Sequence, residues 1–252
     1  MAVLEVEGLC AGYGRALSVR GADFSLDAGR ILSIVGPNGA GKTTTLLALA
    51  GLVRPAGGTV RLRGEEITGL ATHRIARRGL CLVPDDRGLF PDLTVAEHLK
   101  MATRSSVRSG KDGQTREPRT VDDVLEGFPA LRALGSRRCG LLSGGEQQML
   151  AIAKVLLLGP DVLMVDELSM GLAPVIVQEL LPGLQRLARE SSMGVILVEQ
   201  HYEMALAISD DAIVLNHGEI VLRGRAADLM ADRSALEQAY LGVIEAGEPV
   251  PG

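Results

Sequence analysis

Runs of uninterrupted apolar residues set the frame of this chain. Residues 31–35, Ile-Leu-Ser-Ile-Val, are short, β-branched and nearly all apolar, the pattern of a buried strand. Residues 80–83, 162–165 and 195–198 repeat it, which predicts a parallel core sheet with intervening helices. Residues 3–7, 24–26 and 59–62 read as short strands of an antiparallel sheet beside that core. Helices are predicted over 42–50, with Gly51 as a stop, and over 94–102, 121–134 and 147–158. A further helix over 175–190 carries Ile176, Leu180, Leu184 and Leu187 at helical spacing, and Pro182 should bend it or force a cap. Asn216-His217-Gly218, between apolar runs at 212–215 and 219–222, signals a hairpin.

One region departs from this frame. Between Gly88 and about Cys139 the predicted helices flank residues 104–120, a polar, net basic stretch rich in Ser, Gly and Pro that reads as a mobile, solvated loop. The length suits one sizeable core, or a core plus a small lobe.

Composition narrows the class. Apolar residues make up 46% of the chain, yet no uncharged apolar run reaches the ~18 residues that span a bilayer. Lys154, Asp161 and Asp166 interrupt the oiliest regions, and no secretion signal is visible at the start, so a soluble chain is expected. Cys10, Cys81 and Cys139 are odd in number and lack metal-like spacing. They read as small buried residues in a reducing cytoplasm. A net charge of −5 disfavours a general nucleic-acid surface.

The chemistry begins where the first core strand stops. Gly36-Pro37-Asn38-Gly39-Ala40-Gly41-Lys42-Thr43-Thr44 fits G-x-x-x-x-G-K-[ST] and lies between a strand and a helix, as that pattern requires. Glycines let backbone N–H groups crowd around phosphate oxygens, and the helix N-terminus adds positive potential. Lys42 is expected to reach the β- and γ-phosphates, and the Thr43 hydroxyl to ligate Mg²⁺. A second helix start follows at Leu142-Ser143-Gly144-Gly145-Glu146-Gln147, where Ser143 and Glu146 form a capping box and two glycines leave the first turn open to an anion. At Asp166-Glu167 a second apolar strand ends in two carboxylates, where ligands bind in parallel α/β sheets.

Residues 142–147 resemble the signature motif of ATP-binding-cassette (ABC) ATPases, and the likeness runs from about Leu4 to about Leu241. It implies an α/β P-loop NTPase fold of the ABC type, with a mixed core sheet, an antiparallel β subdomain and a helical subdomain inserted at about 88–158. Residues 1–241 would form one ATPase domain and 242–252 a C-terminal tail. By the resemblance, Asp166 holds Mg²⁺ through water and Glu167 is the general base for the attacking water. Tyr13, in Gly12-Tyr13-Gly14, stands where the family stacks an aromatic on adenine. Ser143 and Gly145 of one subunit complete the ATP site on Gly39 and Lys42 of the other, with Gly144 and Glu146 in the same turn.

Several positions depart from the family pattern. Asp85 replaces the usual Gln after the strand at 80–83, placing a carboxylate where it can ligate Mg²⁺. Gln200 occupies the position of the switch histidine, with His201 one residue later, and it can donate to a γ-phosphate without carrying a titratable charge. Ala173 stands where many members have Asp. Residues 83–95, the loop at 169–174 and Val198-Glu199-Gln200 resemble the ATPase subunits of branched-chain amino-acid importers, whose close relatives import urea or short amides.

The resemblance therefore implies an ATPase that uses ATP and Mg²⁺ and powers import. Its implied partners are transmembrane permease subunits, a second ATPase subunit and, indirectly, a substrate-binding protein, with no nucleic acid. It would sit peripherally at the cytoplasmic face of the inner membrane, with residues 87–91 against a permease coupling helix. The other readings are a soluble ABC ATPase of an assembly machine, such as iron–sulfur cluster scaffolding, and an exporter subunit. A DNA-maintenance or translation ATPase needs a long coiled-coil insertion or two fused cassettes, which this length does not allow.

Overall fold

The computed structural model describes residues 2–105 and 119–242. A long hairpin of β1 (Ala2–Tyr13) and β2 (Ala16–Asp27) opens the chain, and β3 (Ile31–Val35) then leads through the glycine loop into α1 (Lys42–Leu49). The segment β4 (Gly57–Leu62), β5 (Glu65–Glu66) and α2 (Thr72–Arg78) precedes β6 (Leu80–Val83). Helices α3 (Val95–Ser105), α4 (Val121–Gly127), α5 (Pro129–Arg132) and α6 (Gly144–Leu156) come next. The order β7 (Val162–Asp166), α7 (Pro174–Glu190), β8 (Gly194–Glu199), α8 (Tyr202–Ile208) and β9 (Asp211–Asn216) follows. β10 (Glu219–Arg225), α9 (Ala226–Ala231) and α10 (Arg233–Leu241) complete the described chain.

The apolar runs pair as predicted in one six-stranded sheet, ordered β10-β9-β3-β8-β7-β6. Its inner ladders are parallel and β10 pairs antiparallel with β9, so the sheet is mixed. A separate antiparallel sheet runs β2-β1-β4-β5. The period of two explains the composition of the core runs. Leu163 and Val165 of β7 join a cluster with α6 and α7, whereas Val162 and Met164 join one with the antiparallel sheet and α1. Both faces are buried, so these strands are apolar at nearly every position, with Ser33 the exception inside β3.

Four differences from the sequence reading have physical causes. β1 and β2 run far beyond residues 3–7 and 24–26, because register shifts such as that between Val6 and Leu9 carry the ladder on while breaking the alternation that marks a strand. The helix expected over 121–134 is two helices, broken at Phe128 with φ −134° and ψ 65°, since Pro129 disfavours helical geometry in the residue before it. Pro182 forces no cap; α7 continues through it with Leu180, Leu181 and Leu184 buried. Cys81 and Cys139 are buried as expected, but Cys10 is only half-buried, and its sulfur accepts from the Gly21 N–H at 3.2 Å.

Most of the polar stretch at 104–120 lies outside the described residues, as does the tail beyond Gly242. Its described flanks are ordered elements. Ser105 closes α3, and Thr120 caps α4 in a capping box with Asp123. The hairpin at 216–218 forms a two-residue turn with His217 and Gly218 both at positive φ. Among the described residues no helix is long and apolar enough to cross a membrane.

Double-sided burial gives a direct test. Leu163→Ala and Met164→Ala, on opposite faces of β7, should each destabilise the fold by about 3 kcal/mol in urea titrations. A small effect of either one would show that its face of the sheet is not closed.

Candidate active site

The glycine loop is squeezed between two other segments. A Cβ on Gly36 (φ +153°) would lie 2.0 Å from the Leu215 carbonyl oxygen, and one on Gly41 (φ +104°) 2.3 Å from that of Ser18. Only glycine fits either place. Gly41 is also the N-cap of α1 and offers no side-chain cap, so the N–H groups of the first helical turn face the loop. Lys42 curls back, its Nζ donating to the carbonyls of Gly36 at 2.7 Å and Pro37 at 2.9 Å. Burial lowers its pKa, and the carboxylates of Glu167, Asp166 and Glu199 work against that shift.

Those carboxylates stand at the ends of β7 and β8. Asp166 is 3% exposed, and its Oδ1 has no hydrogen-bond partner. Burial raises its pKa to about 6; Asp85 and Glu167 add to the rise, and a hydrogen bond from the exposed Thr43 and the charge of Lys42 oppose it. Glu167 sits at φ +48°, uncommon for a residue with a side chain, with its N–H held by the Val198 carbonyl at 2.9 Å. Its Oε1 accepts from Gln200 Nε2 at 2.8 Å. Asp85 is exposed and accepts from the Asp86 N–H at 2.9 Å, and His201 is exposed at the N-cap of α8.

The second helix start is built as its sequence predicts. Ser143 Oγ accepts from the Glu146 N–H at 3.3 Å, and Glu146 Oε2 accepts from the Ser143 N–H at 2.7 Å. The glycine pair also has a packing reason. A Cβ on Gly145 would lie 2.7 Å from Ile176 Cγ2, and one on Gly144 3.3 Å from the Gly171 carbonyl. Among the described residues no hydrogen bond joins residues 143–146 to the loop at 36–44. Tyr13, 59% exposed, ends β1 in the hairpin whose other strand touches Gly41.

Three sets of contacts were not anticipated from the sequence, which marked Arg87 only within the permease-facing stretch 87–91, Glu199 only within a family resemblance, and Tyr240 not at all. Arg87, at φ +64°, donates to Gln147 Oε1 at 2.7 Å, Gln148 Oε1 at 3.0 Å and the Met170 carbonyl at 3.4 Å, joining the segment after β6 to α6 and to the loop after Glu167. The buried Glu199 accepts from Ser169 N at 2.8 Å and Ser169 Oγ at 2.7 Å; burial raises its pKa and those bonds oppose the rise. Tyr240 reaches from α10 to the carbonyls of Gly36 and Gln200. The one sequence signal for it is an aromatic with a polar tip, four residues after Leu236 on the buried face of a helix.

The family model described as "ABC transporter" matches residues 19–169, from within β2 to just past Glu167. The chain is 38% identical over 240 residues to the high-affinity branched-chain amino acid transport ATP-binding protein BraG of Pseudomonas aeruginosa, covering 95% of this chain and 100% of that one. It is 32% identical to BraF, a protein of the same description in the same organism, over 95% of this chain and 98% of that one. A solved structure described as the ATP binding subunit of an ABC transporter superposes with a TM-score of 0.76 at 25% identity, over 96% of this chain and 99% of that one. With a family match over more than half its length and full-length relatives above 30% identity, this chain belongs to the ABC transporter family, as one of its ATP-binding, ATP-hydrolysing members.

Proposed function

We propose that this chain hydrolyses ATP to drive a membrane importer of branched-chain or other hydrophobic amino acids. It would work as one of two ATPase chains held by permease subunits at the cytoplasmic face. The observation that carries the hydrolytic reading is the pairing of Gln200 with Glu167 beside Lys42 and Asp166. The choice of cargo draws on the descriptions of BraG and BraF, which also supply a precedent for two distinct ATP-binding chains in one organism.

In this reading the backbone of Gly36, Pro37, Asn38, Gly39, Ala40 and Gly41 cradles the phosphates, with the N–H groups of Lys42, Thr43 and Thr44 at the helix end. Lys42 turns from its own loop carbonyls to the β- and γ-phosphates. Glu167 takes the proton of the attacking water through Oε2, while Gln200 holds Oε1 and fixes the plane of the carboxylate. The γ-phosphorus–oxygen bond to ADP breaks as the water oxygen bonds to phosphorus. Tyr13 stacks on adenine. Ser143, Gly144 and Gly145 of the second chain close the site, with Glu146 holding the turn. His201, exposed beside Gln200, and residues 87–91 complete the proposed set, the latter facing the permease.

A divalent cation fits the donor set. Thr43, Asp166 with its orphaned Oδ1, and Asp85 offer only hard oxygen atoms. No group of three or more His, Cys, Asp or Glu among the described residues is placed to hold a metal, which suits Mg²⁺ held by one or two side chains and by phosphates. Held by Thr43, Asp166 and Asp85, Mg²⁺ would supply positive charge to offset the charge that develops on the transferred phosphoryl group.

Three outcomes test the reading. Glu167→Gln should abolish hydrolysis, trap an ATP-bound dimer on size exclusion and stop labelled leucine uptake by the cell; an unchanged hydrolysis rate would contradict the base role. Ser143→Arg should destroy hydrolysis but leave ATP binding to the single chain largely intact, and parallel loss of binding would count against the two-chain site. For Asp166 the pKa is higher folded than unfolded, so stability is greatest below the unfolded value and falls as pH rises through about 6. Asp166→Asn should therefore stabilise the nucleotide-free chain by on the order of 2 kcal/mol at about pH 8 and little at about pH 4. Equal effects at both would refute the buried-charge account.

A further inference from the structure

The family match ends at residue 169, yet the last described helix reaches into the site. The end of α10 is fixed to the end of β9: Asn216 Nδ2 donates to the carbonyls of Ala239 at 2.8 Å and Tyr240 at 3.2 Å, and Gly242 closes the helix at φ +75°. Leu236 and Ala239 are buried, and the Tyr240 ring packs against Tyr202 of α8 with centroids 5.6 Å apart. Held in this way, the Tyr240 hydroxyl lies 2.8 Å from the Gly36 carbonyl oxygen and 2.7 Å from that of Gln200.

These two carbonyls belong to segments that the proposed chemistry uses separately. Gly36 opens the phosphate loop, and its oxygen also accepts from Lys42 Nζ at 2.7 Å. Gln200 holds Glu167 at 2.8 Å. The phenol has one proton for two acceptors, so it is shared between them and keeps both oxygens at hydrogen-bonding range of a single atom. Burial raises the phenol pKa further above its ordinary value, so the hydroxyl is protonated at neutral pH. No strand ladder makes this link: β3 ends at Val35 and β8 at Glu199, one residue short of Gly36 and Gln200 respectively.

We propose that Tyr240 is a positioning residue, a hydroxyl clamp from the C-terminal helix that sets the phosphate loop against Gln200 and, through Gln200, aligns the Glu167 carboxylate. It touches neither the nucleotide nor the attacking water. The inference rests on the hydrolytic reading of Glu167 above.

The full-length chain carrying Tyr240→Phe loses the hydroxyl and keeps the ring. Its kcat for ATP should fall about tenfold, the rate equivalent of roughly 1.4 kcal/mol. Its melting temperature and its affinity for ATP, measured in the Glu167→Gln background, should hold within about threefold in Kd. Because the clamp acts through the Gln200 side chain, Tyr240→Phe added to Gln200→Ala should change kcat by less than about twofold. Independent multiplication of the two effects would overturn the inference, as would a kcat within twofold of the parent chain or a joint fall of melting temperature and ATP affinity. If Glu167→Gln alone hydrolyses ATP at the parent rate, the hydrolytic reading fails and the clamp with it. If Glu167→Gln is inactive and Tyr240→Phe is not impaired, only the clamp fails.

Discussion

The parallel register of three strands is the constraint on which the site depends. Val35 pairs with Glu199 and Asp166 with Val198, so β3, β7 and β8 end level with one another. Gly36, Glu167 and Gln200 are the residues that follow, and each emerges at the same edge of the sheet. The strands hold this register because both faces are buried, and a slip of one residue would exchange the two apolar sets. A parallel sheet also places helix N-termini at that edge, which brings α1 and its uncapped first turn to the end of β3.

Concentrating charge at a dry sheet edge has a structural cost that the rest of the fold offsets. Asp166 and Glu199 are pushed up by burial and Lys42 is pushed down, each toward its neutral form. The two carboxylates are handled differently. Glu199 has both oxygens occupied by Ser169, whereas Asp166 keeps one oxygen without a partner. A fully bonded acid serves the architecture of the loop after Glu167. An acid left half-satisfied in a buried position is suited to a ligand that brings its own positive charge, which matches the cation assigned to it in the proposed function.

Much of this was legible in the sequence, for identifiable reasons. Continuous apolar runs mark strands buried on both faces, and the glycine loop, the capping box of Ser143 and Glu146, and the hairpin at 216–218 are local codes whose meaning does not depend on distant residues. What stayed hidden was non-local or broke a period. The bulges in β1 erase its alternation, and the break at Phe128 depends on one proline. Arg87, Glu199 and Tyr240 look ordinary in sequence because their partners are 60, 30 and up to 204 residues away. Gly145 carried a lesson of the opposite kind: its lack of a side chain suits an anion site, yet contact with Ile176 alone would require it.

The same long-range bonds show how the two helix starts are related within one chain. Among the described residues, 143–146 make no hydrogen bond to the glycine loop, but they are not independent of the carboxylate edge. Arg87 grips Gln147 and Gln148 of α6 and the Met170 carbonyl three residues after Glu167, and Gly144 and Gly145 pack on Gly171 and Ile176. The loop from 167 to 174 is thus bonded at one end to β8 through Glu167 and Ser169, and pressed at the other against the second helix start. A shift of α6 relative to the sheet must move this loop or break the Arg87 bonds. In the proposed two-chain site, α6 serves the partner's nucleotide while Glu167 serves its own, and the loop, through the Arg87 hydrogen bonds, is a noncovalent contact between the two.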